Sequence, residues 1–178
     1  MDLLDLLKNS GGSDSIGELA NTVGLGSADT KKLIGALAPA LLGGIKKNTA
    51  SDSGLAGLRR ALETGGHERY LEDPALLRSD ATREDGNNIL GHLFGSKDVS
   101  RNVAAHAAGQ TGIDAGIIKK ALPLLAGLAM AAMSKKTSAG RDLGPSIKEG
   151  GLGPLGDLLG GSDGFGLDDV LGMARKFF

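Results

Sequence analysis

The chain has 178 residues, 40% hydrophobic, 23% charged and only 3% aromatic, and its 20 Lys and Arg against 21 Asp and Glu leave a net charge of −1. Near-neutrality argues against a polyanion-binding surface as the default, and the lack of cysteine excludes disulfides, thiolate metal sites and a thiol nucleophile. With no Trp and one Tyr, a core has to come from Leu, Ile, Val, Ala and Met, which predicts closely approaching helices.

The first stretch, MDLLDLLKNSGG, is acidic where a secretory signal needs basic residues, and no long apolar region follows, so a cytoplasmic protein is expected. From Asp2 to Lys8, Leu3, Leu4, Leu6 and Leu7 mark a short helix ended by Gly11 and Gly12. Ser13 or Asp14 then caps a second helix, whose Ile16, Leu19, Ala20 and Val23 share one face, and Gly24 stops it. Ser27 and Asp29 open a third helix with Leu33, Leu37, Leu41 and Leu42. Pro39 lies inside it; its ring removes one donor and clashes with the carbonyl of Gly35, which predicts a kink or break near Ala38. Ala36, Ala40 and Gly44 recur every fourth residue, a row of small side chains over which another helix can pass.

From Asn48 to Asp85 the pattern weakens, and the segment reads as a surface excursion with one short helix over Leu55, Leu58 and Leu62. Within it Glu68, Arg69, Tyr70, Glu72 and Asp73 form a dense polar cluster, read as a solvated turn whose Tyr covers the core edge, with a recognition loop as the alternative. GNNILGHLFGS gives a short apolar helix, and Ser96 caps the next, which turns Val99, Val103 and Ala107 inward. The stretch from Ala121 to Met133 carries no charge, no aromatic ring and one proline, between Lys119, Lys120, Lys135 and Lys136. It is shorter than the roughly 20 apolar residues of a spanning helix, as is Leu33 to Ile45, so no transmembrane segment is expected. After Ser138 the chain turns Gly-rich, which divides it into a helical domain, 1–138, and a tail, 139–178. The tail has two Leu-bearing clusters, one around Leu158 and Leu159 and one ending in Phe177 and Phe178.

Two regions echo each other. GLGSADTKKL at Gly24 to Leu33 and GIDAGIIKKA at Gly112 to Ala121 both show Gly, an aliphatic residue, five positions and two lysines; Ala20 and Ala108 precede, and Pro39 and Pro123 follow. Two related helix-turn-helix-like units are expected. The segments SIGELANTVGL, LIGALAPALLGGIKKN, GHERYLEDP and NNILGHLFGSKDVSRNVAAHAAGQTGIDAGIIKKALPLLAGLAM, with the Gly/Leu tail, resemble the YidB-like bacterial family classed as a domain of unknown function, DUF937. The resemblance implies an all-α fold and a bacterial source, and it brings no activity, cofactor or catalytic residue.

Sites of known chemistry are weakly signalled. A DNA-reading helix must present Arg, Lys, Asn or Gln to base edges, yet Lys31 and Lys32 are followed by LIGALAPALLGG, and Lys119 and Lys120 by an apolar run. GLGPLG at Gly151 to Gly156 fits a dinucleotide pattern without its strand, helix or acidic partner, and Pro154 removes a donor. His67, His92 and His106 sit in three separate segments without metal-ligand spacing. No nucleophile elbow appears.

The expected fold is therefore all-α, a multihelical bundle with two helix-turn-helix-like units and a Gly/Leu-rich C-terminal tail. The expected function is that of a non-enzymatic interaction protein that self-associates into homo-oligomers or larger assemblies, with no cofactor, metal or small-molecule substrate. If both apolar helices cannot be covered by one chain, the interface falls on Leu33, Leu37, Pro39, Leu41, Ile118, Leu122, Pro123 and Leu125, with Leu158, Leu159, Phe177 and Phe178 as docking motifs. The alternatives are a nucleic-acid-associated protein derived from a helix-turn-helix, or peripheral membrane attachment through Met1 to Lys8 and the terminal LDDVLGMARKFF.

Overall fold

The computed structural model describes residues 3–139. In chain order these form α1 (Leu3–Asn9), α2 (Ser13–Val23), α3 (Ser27–Thr49), α4 (Asp52–Thr64), α5 (Arg69–Glu72), a 3-10 turn (Pro74–Arg78), α6 (Asp80–Phe94), α7 (Lys97–Thr111) and α8 (Ala115–Ala139). The fold is an all-α multihelical bundle, with no strand among the described residues.

Its organisation follows from α8. A helix with one apolar stripe lies on a surface, whereas one apolar all round has to be surrounded. Every residue from Ala121 to Ser134 is buried, and α1 through α7 all touch α8. The length argument drawn from the sequence is corrected here. The helix continues past its flanking lysines, so Ala115–Lys136 is long and apolar enough to cross a bilayer, but 78% of its most apolar window is buried inside the protein. Burial, and not shortness, marks it as a core helix.

Close approach depends on missing side chains. Where α6 crosses α8, a Cβ on Gly86 would stand 2.1 Å from the Pro123 carbonyl oxygen, far inside contact distance. At Gly44 a Cβ would meet the Leu93 carbonyl oxygen at 3.1 Å and Phe94 Cε1 at 3.2 Å, so the small-residue row of α3 receives α6 as its spacing implied. With only 3% aromatic residues, the packing gains density by bringing backbones together.

Both helix-turn-helix-like units are present. In α2–α3 and α7–α8 the first helix ends on a left-handed glycine, Gly24 (φ 76°) and Gly112 (φ 72°), where a side chain would be strained. Leu25 N–H donates to Ala20 O at 2.9 Å, and Gly112 N–H to Ala108 O at 2.9 Å. The caps then differ: Asp114 accepts from Gly116 N–H at 2.8 Å to open α8, whereas α3 begins after Gly26 without a side-chain cap.

Several local expectations are corrected. Pro39 does not break α3, which runs unbroken from Ser27 to Thr49. The carbonyl it deprives of a donor belongs to Gly35, an exposed residue, so water can serve it. The cap of α2 is Gly12, with Ser13 already helical. A Cβ on Gly12 would meet Leu7 O at 2.8 Å, so α1 and α2 close a turn too tight for Ser. The segment Asn48 to Asp85 is no surface excursion, because Tyr70 (1% exposed), Leu71, Leu77 and Thr82 are all buried. Its alternating charges face outward while these residues turn in. Nor is α1 a free amphipathic anchor: Leu3, Leu6 and Leu7 are buried and α1 packs on α3 and α8.

A cationic groove between α6, α7 and α8

The sequence-derived interface residues separate into two groups. Leu33, Leu37, Leu41, Ile118, Leu122 and Leu125 are each 2% exposed or less, Pro123 is buried and Pro39 half-buried. They lie in the protein's own interior, on the buried faces of α3 and α8. Leu158, Leu159, Phe177 and Phe178 lie outside the described residues, as does GLGPLG.

Two of the interior residues nevertheless reach a surface feature. Leu122 and Pro123, with Leu90, floor an open groove of about 860 Å³ whose walls are Asn87, Asn88, Gly91 and His92 of α6, Ser96 at the α7 cap, Lys97, Ser100 and Arg101 of α7, and Lys119 of α8. No carboxylate lines it. Ser96 Oγ accepts from Val99 N–H at 3.3 Å, which fixes the start of α7, so the partial positive charge of that helix end adds to the field. Lys97 and Arg101 stand one turn apart on α7. Arg101 Nη1 lies 2.9 Å from Asp98 Oδ1 in an exposed pair, whereas Lys97 and Lys119 enter no ion pair among the described residues. Three cations from two helices thus converge over an apolar floor, with amides and hydroxyls between them.

Sequence reasoning had singled out His92, Lys119, Leu122 and Pro123 for separate reasons and had no means to bring them together. Lys97, Arg101, Asn87, Asn88 and Ser100 were missed. The available signal was the Lys97–Arg101 spacing, which puts both on one face of a helix but does not say what that face adjoins.

A second polar constellation has a different character. Tyr70 lies beneath α8, with ring carbons 3.5 and 3.6 Å from where a Cβ of Gly127 would stand. Its hydroxyl donates to Asp85 Oδ2 at 2.6 Å and accepts from Arg69 Nη2 at 2.9 Å, and the Arg69 guanidinium sits 5.0 Å from the ring centroid. Burial, and then the Asp85 hydrogen bond, push the Tyr70 pKa above its ordinary value, while the hydrogen bond to Tyr70 raises that of Arg69. His67 is 4% exposed. Its Nδ1 is 3.1 Å from Asp85 Oδ2 without the alignment of a hydrogen bond. Ser134 Oγ is within hydrogen-bond distance of Leu62 O (2.9 Å) and Glu68 Oε1 (3.0 Å), and Ser15 Oγ donates to Tyr70 O at 2.9 Å. The hydrogen bonds of Tyr70, Ser15 and Ser134 tie α5 and the residue before it to α2, α6 and α8. Of the polar cluster, Arg69, Glu72 and Asp73 are exposed and Glu68 is half-buried, while Tyr70 alone turns into the core, as expected of a solvated turn whose Tyr covers the core edge. Nearby, Arg78 holds the Glu18 carboxyl below its ordinary pKa through their hydrogen bonds, fastening the 3-10 turn to α2. Among the described residues no three His, Asp or Glu converge as metal ligands.

Residues 5–136 match the family model described as "Bacterial protein of unknown function (DUF937)". No curated protein and no solved structure is matched. The match spans more than half of the chain, which therefore belongs to this bacterial family of unknown function.

Proposed function

We propose that this protein is a non-enzymatic binding protein that engages an acidic segment with apolar side chains in the groove between α6, α7 and α8. The observation that carries the reading is the convergence of Lys97, Arg101 and Lys119 around Leu122 and Pro123 without a lining carboxylate. Charges of one sign in a concave site focus a field that draws the opposite sign, and the apolar floor adds contact area for Leu-like side chains. The groove is open, which suits an extended segment better than a small molecule that needs most of its surface enclosed. His67, Tyr70 and Asp85, the residues nearest to a catalytic grouping, are engaged in holding helices together.

Self-association enters this reading by a different route from the apolar helices. It requires the acidic segment to come from a second copy, docked head to tail. Nucleic-acid reading is disfavoured because the apolar runs of the helices at the recognition positions, α3 and α8, are buried in the core and present no polar reading face.

The test is fluorescence anisotropy of a labelled peptide bearing Asp and Leu, against a matched peptide bearing Lys and Leu, on the full chain at low and moderate salt. Binding of the acidic peptide, weakened by salt and at least about tenfold by K97E/R101E/K119E, is expected. Equal binding of the two peptides, or no effect of the triple reversal, contradicts the reading.

A further inference from the structure

The groove asks for an acidic, apolar segment, and the chain contains one. Residues 157–171 read DLLGGSDGFGLDDVL: Asp157, Asp163, Asp168 and Asp169 supply carboxylates, Leu158 and Leu159 stand beside the first, and no Lys or Arg interrupts them. The net charge of −1 for the whole chain conceals this separation of a cationic groove from an anionic stretch. We infer that residues 157–171 dock in the α6–α7–α8 groove of the same chain and compete there with any outside partner. The inference rests on the groove reading above and names the groove's resident occupant.

Reach allows it. From Pro123, on the groove floor, to Ala139 the helix α8 is about 24 Å long at 1.5 Å per residue. The connecting residues 140–156 extend to at most roughly 60 Å, more than enough to return along the helix. A tether of that length holds the segment at an effective concentration in the millimolar range. Even a weak contact of carboxylates with Lys97, Arg101 and Lys119 is then mostly formed at the dilution where a second copy would not bind. Charge and proximity favour the same chain over another.

Occupation in cis lowers the apparent affinity for an added ligand by the fraction of grooves left open. The experiment compares three full-length proteins, each titrated with a labelled synthetic peptide of residues 157–171: the natural chain, D157N/D163N/D168N/D169N, and K97E/R101E/K119E. The Asn variant is expected to bind the peptide about tenfold tighter than the natural chain, and the Glu variant not to bind. Equal affinity for the natural chain and the Asn variant overturns the inference and leaves the groove reading intact; absence of binding to either overturns both. Carbodiimide coupling of carboxylates to lysine, read by mass spectrometry, then assigns the chain. Links from Lys97 or Lys119 to Asp157, Asp163, Asp168 or Asp169 are expected at the mass of one chain. Such links found only at the mass of two chains overturn docking in cis and assign the segment to a second copy.

Discussion

Tyr70 is the chain's single tyrosine, so its ionisation can be followed at the phenolate absorbance band without interference. Burial and the Asp85 hydrogen bond both oppose the phenolate, which raises the folded-state pKa above the ordinary value near 10. A raised folded pKa means that the folded state holds the proton more tightly than the unfolded one. The associated stability is fully present below about pH 10 and is lost as pH rises through the folded value. Titration of the native protein should give a midpoint above that of the urea-unfolded chain; coincident midpoints would place Tyr70 in solvent. Tyr70→Phe removes a hydroxyl that Asp85 and Arg69 both use, and should cost about 1–2 kcal/mol at pH 7 by urea unfolding while abolishing the alkaline loss. The direction of this residue, toward the core edge, was legible in the sequence, but the partners of its hydroxyl, Asp85 and Arg69, were not. The exposed charges at Arg69, Glu72 and Asp73 fit the expected turn, and the fold adds that the ring packs against Gly127 of α8.

At the scale of elements, glycine carries opposite meanings that composition cannot separate. Gly86 lies against the Pro123 carbonyl, whereas a Cβ on Gly17 meets nothing within 4 Å. Gly86→Ala should force α6 away from α8 and destabilise by about 1–3 kcal/mol. Gly17→Ala, on the exposed side of α2, should stabilise by about 0.5–1 kcal/mol through helix propensity alone. Denaturant midpoints of the two variants test the assignment, and a neutral Gly86→Ala would contradict the crossing. The row Ala36, Ala40 and Gly44 was legible because three small residues at fourfold spacing form a pattern. Gly86 was not, since the Asp- and Arg-rich stretch before it reads as loop, which makes it the opening residue of a short helix and not an interior one. For the same reason the start of α6 at Asp80 escaped notice: Thr82 is its first inward residue, and the preceding Asp and Arg read as loop. Leu125, fully buried on α8, should lose about 2–5 kcal/mol on truncation to Ala, a magnitude reserved for the interior.

For the molecule as a whole, the apolar stretch of α8 announces itself in the sequence, but what covers it does not. A buried helix, a subunit contact and a membrane span share one composition; the arbiter is whether the remaining helices can reach around it, and that is a tertiary property. Here α1 to α7 do so, and the surface left for binding is set by residues between positions 87 and 123 that no local pattern links. Which helices pack was half legible; which polar residues meet between them was not. The account stands on α8 being enclosed within one chain. Amide hydrogen exchange, followed by mass spectrometry across a roughly hundredfold range of protein concentration, tests this most directly. Expected is slowest exchange in the peptides covering Ala121 to Met133, with protection that does not change with concentration; protection that grows as the protein is concentrated, or that requires lipid, would contradict it.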